Sequence, residues 1–181
     1  MKGFICPIKS RKMLLLIIIF KLMILGSFSS DYSIKLFQPF VSYFVDTGHN
    51  PWQYYYANGL DLNSFPYHSL MLYILSVPIL FVKILNINSD ILINFAFKIP
   101  LFLCDIGMFA ILFKMFPKQI NKVVIYYFCN PIIIYAIYIH SQLDIIPVFL
   151  LLLCLYMLFR NRLLMFSIFL GLSLATKFNV V

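Results

Sequence analysis

The sequence predicts an all-α fold, a polytopic transmembrane helical bundle. Hydrophobic residues make up 63% of the 181 residues and charged residues 11%, whereas a soluble domain holds about 45–50% apolar and about 25% charged residues. Apolar runs of nearly bilayer-spanning length recur along the chain, and the length corresponds to roughly five or six spans with their connections. This composition excludes an ordinary cytosolic enzyme, a disordered tail and a coiled coil.

The first predicted element is a basic segment, residues 1–12, followed by the apolar run 13–28. The pattern also describes a signal peptide. Because further apolar runs follow, we interpret 13–28 as the first span and 1–12 as cytoplasmic. Both interpretations place residue 29 onward outside. Lys21 lies midway along the span and is expected to find a partner inside the bundle.

Residues 29–67 are the long polar stretch of the sequence and are predicted to form an external loop. Apolar residues recur in it at helical spacing, which predicts an amphipathic helix at the membrane interface. Gly and Pro mark turns later in the loop. The residues at helical spacing are Leu36, Phe37, Phe40, Val41 and Phe44.

Residues 68–181 are predicted to form further membrane helices, so that 1–181 is a single transmembrane module. The last apolar run reaches residue 181 without a polar tail, and we expect the sequence to be the amino-terminal portion of a longer protein. The apolar runs are 68–85, 91–113, 123–139, 145–159 and 163–181.

The net charge of +8 is interpreted as an orientation signal, and no nucleic-acid partner is predicted. Basic residues collect on the cytoplasmic side of membrane proteins. The connections 114–122 and 160–162 carry basic residues and no acid, so both are predicted to be cytoplasmic. The connections 86–90 and 140–144, which each carry an aspartate, are then external.

The run 68–85 decides between two topologies. With the assignment above it does not cross, and Pro78, which is predicted to break its helix, favours a re-entrant hairpin or an interfacial helix. In the alternative, 68–85 crosses and 140–144 becomes internal. We prefer the first topology because it leaves the acids of the connections outside and the basic clusters inside.

Lys98 and Asp105 are predicted to be structural polar groups at membrane depth. A charged group there costs about 2.5–3.5 kcal/mol by insertion scales, so each needs a partner. They share a helix face, but about 10 Å of rise separates them. We therefore expect their partners on neighbouring helices.

His140, Gln142 and Asp144 form a dense polar cluster beside an apolar run. It is either a polar turn between two helices or part of a polar cavity, because Asn130-Pro131 breaks the preceding helix. Lys177 lies about 21 Å from the start of its predicted helix at residue 163.

In the preferred topology, Asp31, Asp144 and Lys177 all reach the outer half of the membrane. Asp31 directly follows the first span, where it is also a candidate N-cap for the next helix.

Six short motifs stand in a fixed order along residues 10–181. In this order they resemble those of the GT-C superfamily of integral-membrane glycosyltransferases, above all its mannosyltransferases that use a polyprenyl- or dolichyl-phosphate sugar. The motifs are Asp31-Tyr32, Gly48-x-Asn50-Pro51-Trp52 with Phe65-Pro66-Tyr67, Lys98 with Asp105, Asn130-Pro131, Gln142-x-Asp144, and Gly171 to Lys177.

The resemblance implies transfer of a sugar, mannose by family preference, from a polyprenyl-phosphate carrier to an acceptor hydroxyl on the external face. The acceptor would be a glycan, a glycolipid or a protein. Asp31 would be the general base, and Lys177 and His140 would bind the donor phosphate. The residues implied in substrate binding or in lining the cavity are Gln142, Asp144, Trp52 and Tyr55.

Two departures from the family pattern stand out. Relatives carry two acids around the first-loop site, whereas Asp31 stands alone, so these residues give no support to a divalent metal. A divalent metal stays open as an alternative, and no cofactor is assigned. Ser141 replaces the usual Gly before Gln142.

Two other classes of function stay open. A transporter or lipid flippase would use Lys98 and Asp105 as a coupling site, and it predicts internal repeats that the sequence does not show. A non-catalytic fragment or subunit of a membrane glycosyltransferase is the other alternative. The short loops and Gln142-x-Asp144 favour a multi-pass protein of the bacterial inner membrane, with the endoplasmic reticulum as the alternative.

Overall fold

The computed structural model describes residues 11–87 and 89–177, and these ranges form helices, helical turns and loops without a strand. The predicted all-α class is therefore confirmed. The helices are α1 (Arg11–Ser27), α2 (Gln38–Thr47), α3 (Pro51–Ala57), α4 (Ser69–Ile84), α5 (Asp90–Met115), α6 (Ile120–Val123), α7 (Pro131–Ile134), α8 (Ile145–Phe159) and α9 (Leu163–Thr176). π-Helical segments lie at Ser33–Phe37, Val124–Phe128 and Tyr135–Ile139.

Helix length limits which elements could cross a bilayer. Among the described residues, α5 has 26 residues and is long and apolar enough to do so, because it extends about 39 Å. A second candidate is the pair Pro117–Phe128 and Pro131–Ile139, which is bent by 49°. Helices α4, α8 and α9 are apolar but shorter, with 16, 15 and 14 residues.

The bend follows from its sequence. Asn130 has extended backbone angles, and its side chain accepts a hydrogen bond of 2.9 Å from the backbone N–H of Ile132. Pro131 then occupies the first turn of α7, where its missing N–H costs nothing. The predicted break at Asn130-Pro131 is present.

Pro78 behaves differently from the prediction, since α4 runs through it without a break. A proline inside a helix removes one backbone hydrogen bond. Leu75 and Ile79 on either side of it are fully buried, and this packing holds the helix together. The prediction that Pro78 breaks the helix was wrong.

The predicted amphipathic helix is present as the Ser33–Phe37 segment continued by α2. Its apolar face is buried, with Phe40 and Val41 at 0% exposure, and the ring of Phe40 stacks on Phe65 at 4.8 Å. The helix ends at Gly48, whose φ of 68° lies in the left-handed region that favours glycine.

Helix α5 is the central helix of the packing and contacts α1, α4 and α8. The contact with α8 is close at Gly107, where an added Cβ would lie 2.5 Å from a ring carbon of Phe149. Glycine is therefore required for these two helices to approach as they do.

Candidate functional site

Asp144 is the centre of a partly exposed polar cluster. Its Oδ1 accepts a 2.7 Å hydrogen bond from Lys177 Nζ and one of 3.3 Å from the hydroxyl of Tyr67. Its Oδ2 accepts a 2.8 Å bond from Gln142 Nε2. The side chains of Lys177 and Asp144 are 26% and 32% exposed, so the ion pair is accessible without being a free surface pair. We call Tyr67, Gln142, Asp144 and Lys177 the Asp144 cluster.

Two hydrogen bonds to backbone carbonyls fix the segments that carry this cluster. The N–H of His68 donates to the carbonyl of Thr176 at 3.2 Å, which fastens the loop before α4 to the end of α9. The hydroxyl of Ser173 donates to the carbonyl of Pro147 at 3.0 Å and holds α9 against α8. Lys177, directly after α9, thereby meets Asp144, directly before α8.

Tyr67 contributes both its hydroxyl and its ring. Burial, followed by the neighbouring carboxylate of Asp144, raises the pKa of the Tyr67 phenol. The phenol therefore stays protonated and donates at neutral pH. Lys177 Nζ lies 5.2 Å from the centre of the Tyr67 ring, a distance at which a cation is attracted to an aromatic face.

An apolar groove of about 260 Å³ begins at Gln142 and Asp144. We call it the apolar groove. Its walls are formed by α5, the bent pair and α8, and it shares Gln142 and Asp144 with the Asp144 cluster. The remaining lining residues are Met108, Tyr127, Ile133, Ala136, Ile137, Ile145 and Val148.

Ser141 lies between His140 and Gln142 in a strained conformation. Its φ of 61° falls in the left-handed region, which glycine enters without steric cost. The side chain is fully buried, and its hydroxyl has no hydrogen-bond partner within the described part of the chain. Strain and an unsatisfied buried group at one residue are features that cluster at functional sites.

Asp31 is not in contact with this cluster in the structure. Its side chain is 80% exposed and forms a 2.9 Å ion pair with Lys35, one helical turn later. The helix cap predicted for Asp31 is supplied by Ser30, whose hydroxyl accepts from the N–H of Ser33 at 3.2 Å.

His140 also lies apart from the Lys177–Asp144 ion pair. Its ring packs edge-on against Tyr32 at 5.8 Å and parallel to Tyr135 at 6.3 Å. Its carbonyl accepts a 2.7 Å bond from the hydroxyl of Ser30. The residue thus joins the start of the external loop to the end of the bent pair.

Trp52 and Tyr55, expected to bind substrate or line a cavity, pack on the amphipathic helix instead. Their rings lie 5.1 and 4.8 Å from the ring of Phe40, and both pack against the hydrophobic core. Both side chains are partly buried and contribute to the packing between α2 and α3.

Asp105 is the centre of a second network, in which Asp105, Lys21 and Tyr138 are buried. Its Oδ2 accepts from Lys21 Nζ at 2.6 Å and from the hydroxyl of Tyr138 at 2.5 Å. Its Oδ1 accepts from the hydroxyl of Tyr127 at 2.9 Å. Lys21 Nζ also lies 3.7 Å from the centre of the Phe128 ring. The carboxylate and the ammonium, both at 0% exposure, are thus paired and solvated by protein groups.

Lys98 lies on the same helix as Asp105 but has different partners. Its Nζ donates to the carbonyl of Phe28, just after α1, and at 3.4 Å to the carbonyl of Tyr138. Carbonyls at a helix C-terminus carry partial negative charge, which compensates the buried ammonium.

A polar cleft of about 600 Å³ opens between α1, α2 and the start of α5. Its floor and walls carry hydroxyl and amide groups and one carboxylate. The lining residues are Gly26, Ser27, Ser29, Ile34, Gln38, Pro39, Ser42, Asp90, Ile91, Ile93 and Asn94.

Sequence reasoning missed the cleft, the role of Tyr67 and the capping by Ser30. The cleft joins residues 29 and 90, which only the fold brings together. In residues 11–87 and 89–177, no group of three His, Cys, Asp or Glu side chains is placed to hold a metal ion.

Comparison with known proteins gives no assignment. No protein-family model matches the chain. No curated protein and no solved structure matches it. The contacts of the Asp144 cluster and the apolar groove are therefore the basis for the functional proposal.

Proposed function

We propose that the protein is a multi-pass membrane glycosyltransferase that moves a sugar from a polyprenyl-phosphate carrier to an acceptor hydroxyl on the external face. One observation carries the proposal: Lys177 is paired with Asp144, and Asp144 also lines the apolar groove. The order of motifs shared with the GT-C superfamily supports the same class.

The groove and the cluster suit the two halves of such a donor. An isoprenoid chain needs an apolar surface, and its phosphate needs a cation and hydrogen-bond donors. Lys177 supplies the cation, and Gln142 and Tyr67 supply donors beside it. Asp144 balances the charge of the ammonium until the phosphate arrives.

The proposed reaction is a single displacement at the anomeric carbon. The acceptor oxygen forms the new bond to this carbon, and the bond from the carbon to the phosphate oxygen breaks. The electron pair stays on the phosphate, where Lys177 stabilises the developing charge. The hydroxyl proton passes to a carboxylate acting as general base, for which Asp31 is our candidate.

Contacts among the loops support an arrangement with one active face. Ser29 and Asp90 line the same cleft, and Ser30 bonds to His140. These residues belong to the three connections that the positive-inside rule assigns to the external side. A multi-pass protein of the bacterial inner membrane is the location we propose.

Donor binding tests the proposal directly. The full chain in phosphatidylcholine nanodiscs is titrated with phytanyl phosphate, a short isoprenoid phosphate, and binding is followed by native mass spectrometry. We expect Lys177→Gln to weaken binding at least about tenfold, which corresponds to about 1.4 kcal/mol. Lys83→Gln, which removes a lysine paired with Asp46 away from the groove, is the matched control. Equal binding by both variants would contradict the proposal.

Transfer is tested separately in membranes that contain the full chain and a radiolabelled polyprenyl-phosphate mannose. Asp31→Asn is expected to abolish transfer to endogenous acceptors and to leave phytanyl phosphate binding unchanged. Unchanged transfer would remove Asp31 from the role of base.

A further inference from the structure

The polar cleft differs from the apolar groove in the chemistry of its lining. Three serine hydroxyls, which can both donate and accept hydrogen bonds, and the amide oxygen of Gln38 line it together with apolar side chains. Asp90 adds a carboxylate, and the lining contains no Lys, Arg or His. Such a surface repels an anionic ligand and suits a neutral molecule with many hydroxyl groups.

The amides of the cleft are held in place before any ligand binds. Gln38 Nε2 donates to Asn94 Oδ1 at 3.0 Å and to the hydroxyl of Ser33 at 3.1 Å. Asn94 Nδ2 donates to the carbonyl of Phe28 at 3.5 Å, and Asn94 is only 6% exposed. Fixed polar groups lower the ordering cost of binding.

The size of the cleft fits a small ligand. Its volume of about 600 Å³ lies within the range of about 300–1,000 Å³ that is usual for small-molecule sites. Asp90 can accept from ligand hydroxyls, and hydrogen bonds to a charged acceptor are about twice as strong as neutral ones.

The cleft is also linked to the Asp144 cluster through the chain. Ser29 lines the cleft, and the adjacent Ser30 bonds to the carbonyl of His140. Two residues further along lies Gln142, which binds Asp144. Ser30 therefore connects the wall of the cleft to the segment that carries Gln142.

We propose that the polar cleft binds a neutral sugar unit and that this unit is the acceptor of the transfer. The assignment as acceptor rests on the proposed function, whereas the binding of a sugar does not. Soluble glycans and glycolipid headgroups share this chemistry, and the experiment separates them.

The full chain in phosphatidylcholine nanodiscs is examined by saturation-transfer difference NMR with methyl α-D-mannopyranoside. Ser42→Phe places a ring in the cleft from its α2 wall and is expected to abolish the transferred signal. The matched control is Ser167→Phe on the exposed face of α9, which is expected to keep it. Phytanyl phosphate binding that survives in Ser42→Phe shows that this variant is folded.

A second arm adds a monohexosyl diacylglycerol to the nanodiscs. Competition by this lipid at a lower concentration than that of the soluble mannoside identifies a glycolipid headgroup as the better ligand, and the reverse order identifies a soluble glycan. Mannose 6-phosphate is expected to bind at least about tenfold more weakly than the neutral mannoside, because it would face the carboxylate of Asp90.

An equal mannoside signal in Ser42→Phe and Ser167→Phe, or tighter binding of mannose 6-phosphate, would overturn the proposal. Loss of phytanyl phosphate binding in Lys177→Gln bears on the donor site alone. Mannoside binding that depends on Ser42, in a protein that fails to bind phytanyl phosphate, would leave the sugar site standing and remove its role in transfer.

Discussion

Asp105 and Lys21 form an ion pair with 0% exposure, and removal of one partner leaves the other charge buried. Breaking a buried pair in this way costs about 3–5 kcal/mol. We expect Lys21→Met to lower the free energy of unfolding by that amount, measured by denaturant titration of the full chain in detergent micelles. Lys35→Met, which breaks the exposed pair with Asp31, is expected to change it by less than about 1 kcal/mol.

The double variant Lys21→Met/Asp105→Asn distinguishes the cost of an unpaired charge from the loss of packing, because the amide oxygen can still accept from the hydroxyl of Tyr138. It removes both charges, so it is expected to recover part of the stability that Lys21→Met loses. A double variant that is less stable than Lys21→Met would contradict this account.

Ser141 offers a stabilising substitution. A non-glycine residue in the left-handed region costs about 1–2 kcal/mol, and the unsatisfied hydroxyl adds to this cost. Ser141→Gly is expected to raise the free energy of unfolding by about 1 kcal/mol. Asn161→Gly, at φ 54°, is the control and should gain less, because asparagine tolerates this region. Destabilisation by Ser141→Gly would show that the hydroxyl has a partner.

The sequence predicted that two candidate site residues, Asp144 and Lys177, lie at the same end of two neighbouring helices. Asp144 and Lys177 flank α8 and α9, so the rise per residue brings both to one end of that hairpin. The pairing of Lys21 with Asp105 spans 84 positions, and no local pattern specifies which helix faces which. Trp52 and Tyr55 show the same limit, since an aromatic residue in a loop suits both a binding site and a core.

The ends of helices were predictable where the sequence contains capping residues and prolines. Asn130-Pro131 gives a capping side chain and a ring fitted to a first helical turn, and the break lies there. Pro78 is also a proline, but no capping residue precedes it, and α4 continues through it. The three π-helical segments each need a backbone shift set by packing, which the hydrophobic pattern does not encode.

The contact between α5 and α8 is sensitive at Gly107. Gly107→Ala is expected to lower the free energy of unfolding by about 1–3 kcal/mol, the usual cost of overpacking, as measured by denaturant titration in micelles. Gly171→Ala is the matched control on α9, where nothing lies within 4 Å of an added Cβ. It is expected to add about 0.5–1 kcal/mol, because alanine favours a helix. Rescue of Gly107→Ala by Phe149→Leu would confirm that the clash is the cause.

For the whole molecule, composition predicted the all-α class. The proposed orientation of its loops relative to the membrane can be tested by labelling. A cysteine-free variant that carries Asp61→Cys or Asp90→Cys is expected to react with a membrane-impermeant maleimide on intact cells. Lys118→Cys is expected to react only after permeabilisation. Labelling at position 90 that needs permeabilisation would mean that α4 crosses the membrane.

The ion pair between Lys21 and Asp105 also imposes an order on biosynthesis. A ribosome adds about 5–20 residues per second, so roughly 4–17 s pass before the carboxylate that neutralises Lys21 is made. During this interval the ammonium on α1 lacks its native partner, and in the proposed arrangement it must stay near water or the insertion machinery. In the proposed multi-pass arrangement, the first helix is therefore expected to become stable in the membrane only when α5 has been made, and loss of Asp105 is expected to be detected as failed insertion of the whole chain.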